Sequence, residues 1–260
     1  MPIDPTSFIL VLLAFFVIAT LYSSVGFGGG SSYLAILALV LVSFYAIRTT
    51  ALLCNLVVVT GSCILYHRKG HLDIKKFLPF VLTSIPMAFL GASFRLEERV
   101  FFILLALALI FSGIALIYQT LSIKANYTIK KYPAYLSYLL GGGIGLLSGL
   151  VGIGGGIFLA PVLNHMKWEK PIVIAALASF FILVNSISGL GGLFVGGTFE
   201  LMWPEVLGLL FAVLLGGQLG VRLTLGKLSA KRIRILTGIL VFFVGARVLL
   251  KNGLELTLFT

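Results

Sequence analysis

The sequence GFGGG at Gly26–Gly30 decides how this chain must fold, because it has a second copy. That copy, GIGGG at Gly152–Gly156, follows 126 residues later, and both copies lie inside apolar runs. Glycine weakens a helix interior by about 1 kcal/mol per residue relative to alanine, so each copy predicts a helix break. Within a bilayer, a break leaves backbone groups that protein or trapped water must satisfy. Two matching breaks therefore indicate a functional site.

The composition places the chain in a membrane. Of its 260 residues, 60% are hydrophobic and 10% are charged, whereas soluble domains carry about 25% charged residues. Apolar runs near the length of a bilayer crossing recur throughout. We expect an all-α polytopic membrane protein, and we read the net charge of +11 as loop charge that orients the chain, not as a nucleic-acid surface. The apolar segments are 8–24, 31–43, 47–66, 77–94, 100–118, 134–151, 157–164, 171–195, 204–221 and 233–250.

The segments repeat in the same order, which predicts an internal duplication with halves 1–125 and 126–260. Each half has one Gly-broken helix pair followed by three transmembrane helices. Glycines further along also correspond between the halves: Gly91 matches Gly220, and Gly113 matches Gly245. We expect one membrane domain built from two repeats.

The distribution of positive charge predicts how the repeats are oriented. If each broken pair returns to the side it came from, four loops share one side and hold 14 of the 19 lysines and arginines. The positive-inside rule places that side in the cytoplasm, which puts both termini outside and inverts the second repeat relative to the first. Arg48 counts among the outer charges in this scheme. The four cytoplasmic loops are 67–76, 119–133, 164–171 and 222–234.

The two glycine motifs, VGFGGG at 25–30 and VGIGGG at 151–156, resemble the TauE/SafE family. The small-residue segments TTAL at 49–52 and AALA at 175–178 are similar to it as well. The resemblance covers essentially the whole chain. It implies a permease of the bacterial inner membrane for sulfite or organosulfonate anions, usually an exporter.

The glycine runs themselves are the first candidates for binding such an anion. Helix N-termini bind small oxyanions through free N–H groups, and glycine lets the anion come close to the backbone. Close helix packing is the alternative role for the same residues. Ser31 could add a hydroxyl donor in the first copy only, so the site would be asymmetric. The candidates are Gly28, Gly29, Gly30, Ser31, Gly154, Gly155 and Gly156.

Polar side chains within the spans are the second group of candidates. Asn55 and Asn185 are the preferred ones, because an amide can donate to an anion without the desolvation cost of a full charge. Ser179 and Gln218 complete the set. Each of them could instead make an ordinary interhelical hydrogen bond of about 1 kcal/mol.

Several absences shape the functional hypothesis. No Asp or Glu lies deep in a span, so a carboxylate relay for a coupling ion has no support. Cys54 and Cys63 lie nine residues apart on one segment and should stay unpaired. We expect no metal and no cofactor; the partners are the lipid bilayer and a small sulfur-containing anion, with a homodimer as an open alternative.

Enzymatic functions fit the sequence poorly. A rhomboid-like protease needs Gly-x-Ser-Gly, but Leu146 stands where the first glycine is required, and no His lies within a span. A dinucleotide fingerprint needs a final glycine where Ser31 stands. We therefore expect a secondary transporter, and the resemblance to the family implies that it exports its substrate. An anion channel, or an importer of another small carboxylate or sulfur anion, remains the alternative.

Overall fold

The computed structural model describes residues 5–24, 26–40, 43–122, 128–201, 203, 205–223 and 230–253. Within these residues all regular structure is helical, as expected from the sequence. The proposed boundary between the halves, at 125–126, lies outside them, as do parts of the loops at 119–133 and 222–234. The helices are α1 Pro5–Ser23, α2 Gly30–Val40, α3 Phe44–Arg68, α4 Ile74–Ser93, α5 Glu98–Ser122, α6 Ala134–Val151, α7 Gly156–Met166, α8 Pro171–Val195, α9 Glu205–Leu223 and α10 Ala230–Val248, followed by a π-helical turn Leu249–Gly253.

Seven of the described helices are long and apolar enough to cross a membrane: α1, α3, α4, α5, α6, α8 and α9. Their outward faces carry exposed large apolar side chains, such as Leu10, Phe111 and Phe211. A water-soluble protein could not leave so much apolar surface uncovered, whereas lipid tails cover it. The chain is therefore a multi-pass membrane protein.

The two helices that follow the glycine runs are short. α2 and α7 have 11 residues each, which makes each roughly 16 Å long at 1.5 Å per residue. A hydrocarbon core is about 30 Å thick, so each spans only about half of it. The sequence prediction for α7, 157–164, stopped too early: the helix continues to Met166 and ends at Lys167, which takes a left-handed conformation.

If each helix is replaced by its equivalent in the other half (α1 by α6, α2 by α7, and so on), the main helix pairs of the bundle are reproduced. α4 packs on α6 as α1 packs on α9, and α4 packs on α8 as α9 packs on α3. α5 pairs with α10 and α3 with α8, so each of these pairs exchanges with itself. The matching extends to α2 against α3 and α7 against α8. α3 and α8 are the most buried of the seven spanning helices and form the centre of the bundle.

Glycines outside the breaks let these helices approach closely. A Cβ on Gly91 would overlap the Leu146 carbonyl of α6, and one on Gly220 would overlap the Thr20 carbonyl of α1. Gly113 and Gly245 lie at the α5–α10 contact in the same way. At these positions glycine permits close packing, as small residues do in other membrane helix pairs.

Candidate functional site

Both glycine runs are breaks between helices, with positive φ at two matching positions and, in the second break, at Gly154 as well. The first lies between α1 and α2, and the second between α6 and α7. Gly26 and Gly29 have φ of +85° and +88°, and their counterparts Gly152 and Gly155 have +79° and +81°. Residues with a side chain rarely adopt this region. The glycines thus end one helix and start the next within a few residues.

Asn55 brings the two breaks together. Its amide Nδ2 donates to the Ile153 carbonyl in the second break, at 2.9 Å. A Cβ on Gly28 or Gly30 would overlap the Asn55 amide, and one on Gly154 would lie 3.1 Å from Nδ2. The side chain is fully buried, and its Oδ1 has no hydrogen-bond partner. One amide therefore touches the backbone of both breaks.

Asn55 also lies near the middle of its helix. α3 has 25 residues and begins at Phe44, so Asn55 is close to its midpoint. Transporters with broken helices hold their substrates near the bilayer midplane, between the repeats. Asn55 thus combines a central position on α3 with contacts to both breaks.

Ser179 makes a matching contact from the other half. Its hydroxyl donates to the Gly26 carbonyl at 2.6 Å and lies 3.0 Å from the Ala175 carbonyl of its own helix. Asn55 of α3 thus bonds to the second break, and Ser179 of α8 bonds to the first. Each break is held by the long central helix of the opposite half.

The remaining predicted residues lie in three different settings. Ser31 is buried, with its hydroxyl 3.4 Å from that of Tyr22. Asn185 donates to the Phe181 carbonyl within its own helix, and its buried Oδ1 has no partner. Gln218 is exposed on α9 and lies against Gly61 of α3. The structure therefore shows no contact between Gln218 and either break.

Gly29 and Gly155 occupy tightly packed corners. A Cβ on Gly29 would lie 2.8 Å from the Tyr33 ring, and one on Gly155 would lie 2.8 Å from the Phe181 ring. Their positive φ values add backbone strain to any substitution. Gly156 meets Ile182 in the same way, at 2.6 Å. These glycines shape the breaks, while Gly28, Gly30 and Gly154 face the amide.

Two further polar residues adjoin the second break. Ser186 of α8 is buried, and its hydroxyl, which has no partner, would lie 3.2 Å from a Cβ on Gly154. Arg48 is the larger surprise: the charge count assigned it to the outer side as an orienting charge, yet it is fully buried. The count records the side of a charge and not its burial, so it could not predict this. The seven-residue spacing from Asn55, which places both on one helix face, was the available signal.

The free cysteines agree with the sequence prediction. Cys54 and Cys63 are both unpaired and buried.

Two broken-helix pairs that meet at a buried amide, within a bundle of membrane-spanning helices, define a transporter class. The model of the family "Sulfite exporter TauE/SafE" matches residues 11–248. The chain belongs to this family of membrane transporters, as the resemblance of its glycine motifs indicated.

Two curated relatives have similar names. The "Probable membrane transporter protein y4hK" of Sinorhizobium fredii is 34% identical over 250 residues, which cover 94% of this chain and 99% of that protein. The "Probable membrane transporter protein YunE" of Bacillus subtilis is 26% identical over 270 residues, covering 94% and 97%. Neither name states a substrate or a direction. No solved structure matches the chain.

Proposed function

We propose that this protein transports sulfite or a small organosulfonate out of the cell across the bacterial cytoplasmic membrane. The observation that carries the proposal is Asn55, which contacts both glycine breaks at the middle of α3. The family description supports the sulfur anion and the direction of transport. The substrate would lie between the breaks and contact Asn55 and the backbone beside it.

The chemistry of the breaks suits a small oxyanion. α2 and α7 each start within a break, and the first N–H groups of a helix have no partner in their own helix. Those groups and the positive end of the helix dipole favour an anion. Because Gly28, Gly30 and Gly154 have no Cβ, the Asn55 amide packs directly against this backbone, and a sulfite or sulfonate oxygen would reach it by displacing the amide.

The proposal includes an inverted repeat with both termini outside the cell. The charge bias of the loops supports the orientation, because 14 of the 19 basic residues fall on one side in this topology. The exchangeable helix pairs support the duplication. In this arrangement the short helices enter from opposite faces, and each reaches about the middle of the bilayer.

Transport would follow the membrane potential rather than a carboxylate relay. In the described helices, the acidic residues Glu98 and Glu205 stand at the first position, at a membrane edge. An interior-negative potential contributes about 2.3 kcal/mol per 100 mV to the exit of one negative charge. A singly charged bisulfite or sulfonate would use this free energy directly.

Flux measurements with purified protein in liposomes test the function. Radiolabelled sulfite and methanesulfonate should cross only protein-containing liposomes, with saturation and with acceleration by unlabelled anion on the opposite side. Flux that grows without saturation and shows no counterflow would identify a channel. If no sulfur oxyanion crosses while acetate or another carboxylate does, the proposed substrate is wrong.

A further inference from the structure

Arg48 is a buried charge that the contacts at Asn55 leave unexplained. Its exposed fraction is 0%, and among the residues whose burial is described it is the one charged side chain in the buried set. It stands on α3 near the helix N-terminus, seven residues before Asn55. Ionisable residues inside membrane proteins are costly and are typically functional.

The protein satisfies only part of its guanidinium group. Nη2 donates to the Gly149 carbonyl at 3.0 Å and lies 3.4 Å from the Ala92 carbonyl. The Phe101 ring lies 5.8 Å from Cζ, close enough for a cation–π contact. The Nε and Nη1 nitrogens have no hydrogen-bond partner. No carboxylate forms an ion pair with Arg48 in the described part of the chain, where the ion pair is Lys76 with Glu169.

Backbone carbonyls compensate the charge incompletely. Gly149 lies in the last turn of α6, so its carbonyl belongs to the negative end of that helix dipole. This interaction favours a cation but supplies a fraction of a charge. A buried ion without a full counterion is energetically costly. A mobile anion would remove that cost and fill the two unpartnered donors.

Arg48 is also next to the second glycine break. Its Cβ lies 3.4 Å from the place where a Cβ on Gly152 would be, and Asn55 bonds to the carbonyl of the following residue, Ile153. On α3 the two side chains share one face, and their Cα atoms are roughly 10 Å apart along the axis at 1.5 Å per residue. The second break therefore runs from the arginine to the amide.

We propose that Arg48 is a second binding position for the transported anion, which it holds through Nε–H and Nη1–H beside Gly152. The ligand class is a singly charged oxyanion, which a guanidinium binds through charge-assisted hydrogen bonds. This inference rests on the proposed function and adds to it a fixed cation on the path. The anion passes between Asn55 and Arg48 along the face of α3 that lines the second break.

Ligand-dependent thermal stability of the full-length protein in detergent tests this position. Sulfite that binds the folded state raises the unfolding temperature, and a titration yields the affinity. Arg48→Met should weaken sulfite affinity by about 10- to 100-fold, the usual effect of losing hydrogen bonds to a charged group. Arg95→Met is the matched control, because Arg95 also donates to a carbonyl, that of Gly196 at 2.9 Å, but is exposed. The sulfite affinity of Arg95→Met should stay unchanged.

A purely structural Arg48 predicts a different result. If Arg48 only joins α6 to α4 through their carbonyls, Arg48→Met will lower the unfolding temperature without sulfite and leave the sulfite affinity unchanged. That outcome overturns the proposal. Should the Met variant fail to fold, Arg48→Lys keeps the cation but has no Nε–H donor. Severalfold weaker binding in this variant supports the proposal, and unchanged binding contradicts it.

Measurements on the wild-type protein distinguish failure of the proposed function from failure of the inference about Arg48. The titration includes sulfite, methanesulfonate, acetate and chloride. If none of them stabilises the wild type, the proposed function fails, and the inference about Arg48 fails with it. If wild type and Arg48→Met respond equally to sulfite, the proposed function stands and only the role of Arg48 is wrong.

Discussion

The two glycine breaks share positive φ values at two matching glycines, but they differ in electrostatics. Gly26 and Gly152 start their breaks with similar positive φ values, and each lies against the N-terminal part of the opposite central helix. Gly152 lies against Arg48 of α3, whereas Gly26 lies against Ala175 of α8. The two similarly placed glycine breaks thus have different surroundings, and the buried charge of Arg48 lies beside the second. The substrate path is therefore expected to be unequal on its two sides.

The largest expected effect concerns the orientation of the halves. In a chain with Cys54→Ala and Cys63→Ala, single cysteines replace the exposed residues Lys69, Lys130 and Phe199. An impermeant thiol reagent added outside intact cells should modify the cysteine at 199 and leave those at 69 and 130 unmodified. Permeabilised cells provide the control, because all three should then react. Outside labelling at 69 or 130 would contradict the inverted repeat.

Replacement of the shared amide should produce the next largest effect. Asn55→Leu removes the donor to Ile153 and leaves a buried carbonyl unsatisfied, so sulfite affinity should fall by about 1–3 kcal/mol. Asn185→Leu is the matched comparison, because Asn185 bonds within its own helix. Sulfite titration in liposomes measures both. Equal losses would mean that contact with the breaks is not what matters.

Gly28 is a position at which the first break can be changed without backbone strain. Gly28 has no positive φ, and a Cβ there would displace the Asn55 amide. Gly28→Ala should therefore lower sulfite flux by about five- to tenfold, the result of a misplaced hydrogen bond worth about 1–1.4 kcal/mol. Gly143→Ala is the control, since a Cβ at Gly143 meets nothing within 4 Å. Normal flux in Gly28→Ala would return this glycine to a packing role.

Ser179→Ala should have the smallest effect of the series. The variant loses one neutral hydrogen bond to Gly26, worth about 1 kcal/mol, and leaves the second break intact. Sulfite affinity should fall a fewfold, with normal protein levels in the membrane. A loss as large as that of Asn55→Leu would show that the two breaks contribute equally, contrary to the asymmetry described above.

The sequence was sufficient to locate the helices. The segments 134–151 and 171–195 agree with α6 and α8 to the residue, because in lipid the apolar run and the helix have the same boundaries. The glycine content predicted the positions of the two breaks, because glycine weakens a helix interior. The ends of α7 were harder, since Lys167 ends that helix in a conformation that a lysine seldom adopts.

The side-chain contacts of the site were only partly predictable. Asn55 could be proposed as a polar residue in a span, but its bond to Ile153 joins residues 98 positions apart. The burial of Arg48 was not predicted, because hydropathy and charge bias do not reveal which face of a helix is buried. Gln218 is likewise a polar residue within a predicted span, yet it lies exposed on α9. Only the tertiary packing separates these three cases.

The central claim is that both breaks form one anion site around Asn55. Selenite is a heavier analogue of sulfite, and crystals grown with it would reveal the anion by anomalous scattering at the selenium edge. We expect the strongest selenium peak within hydrogen-bond distance of Asn55, between Gly28–Gly30 and Gly154–Gly156. A bound, transport-competent selenite far from both breaks would contradict the claim.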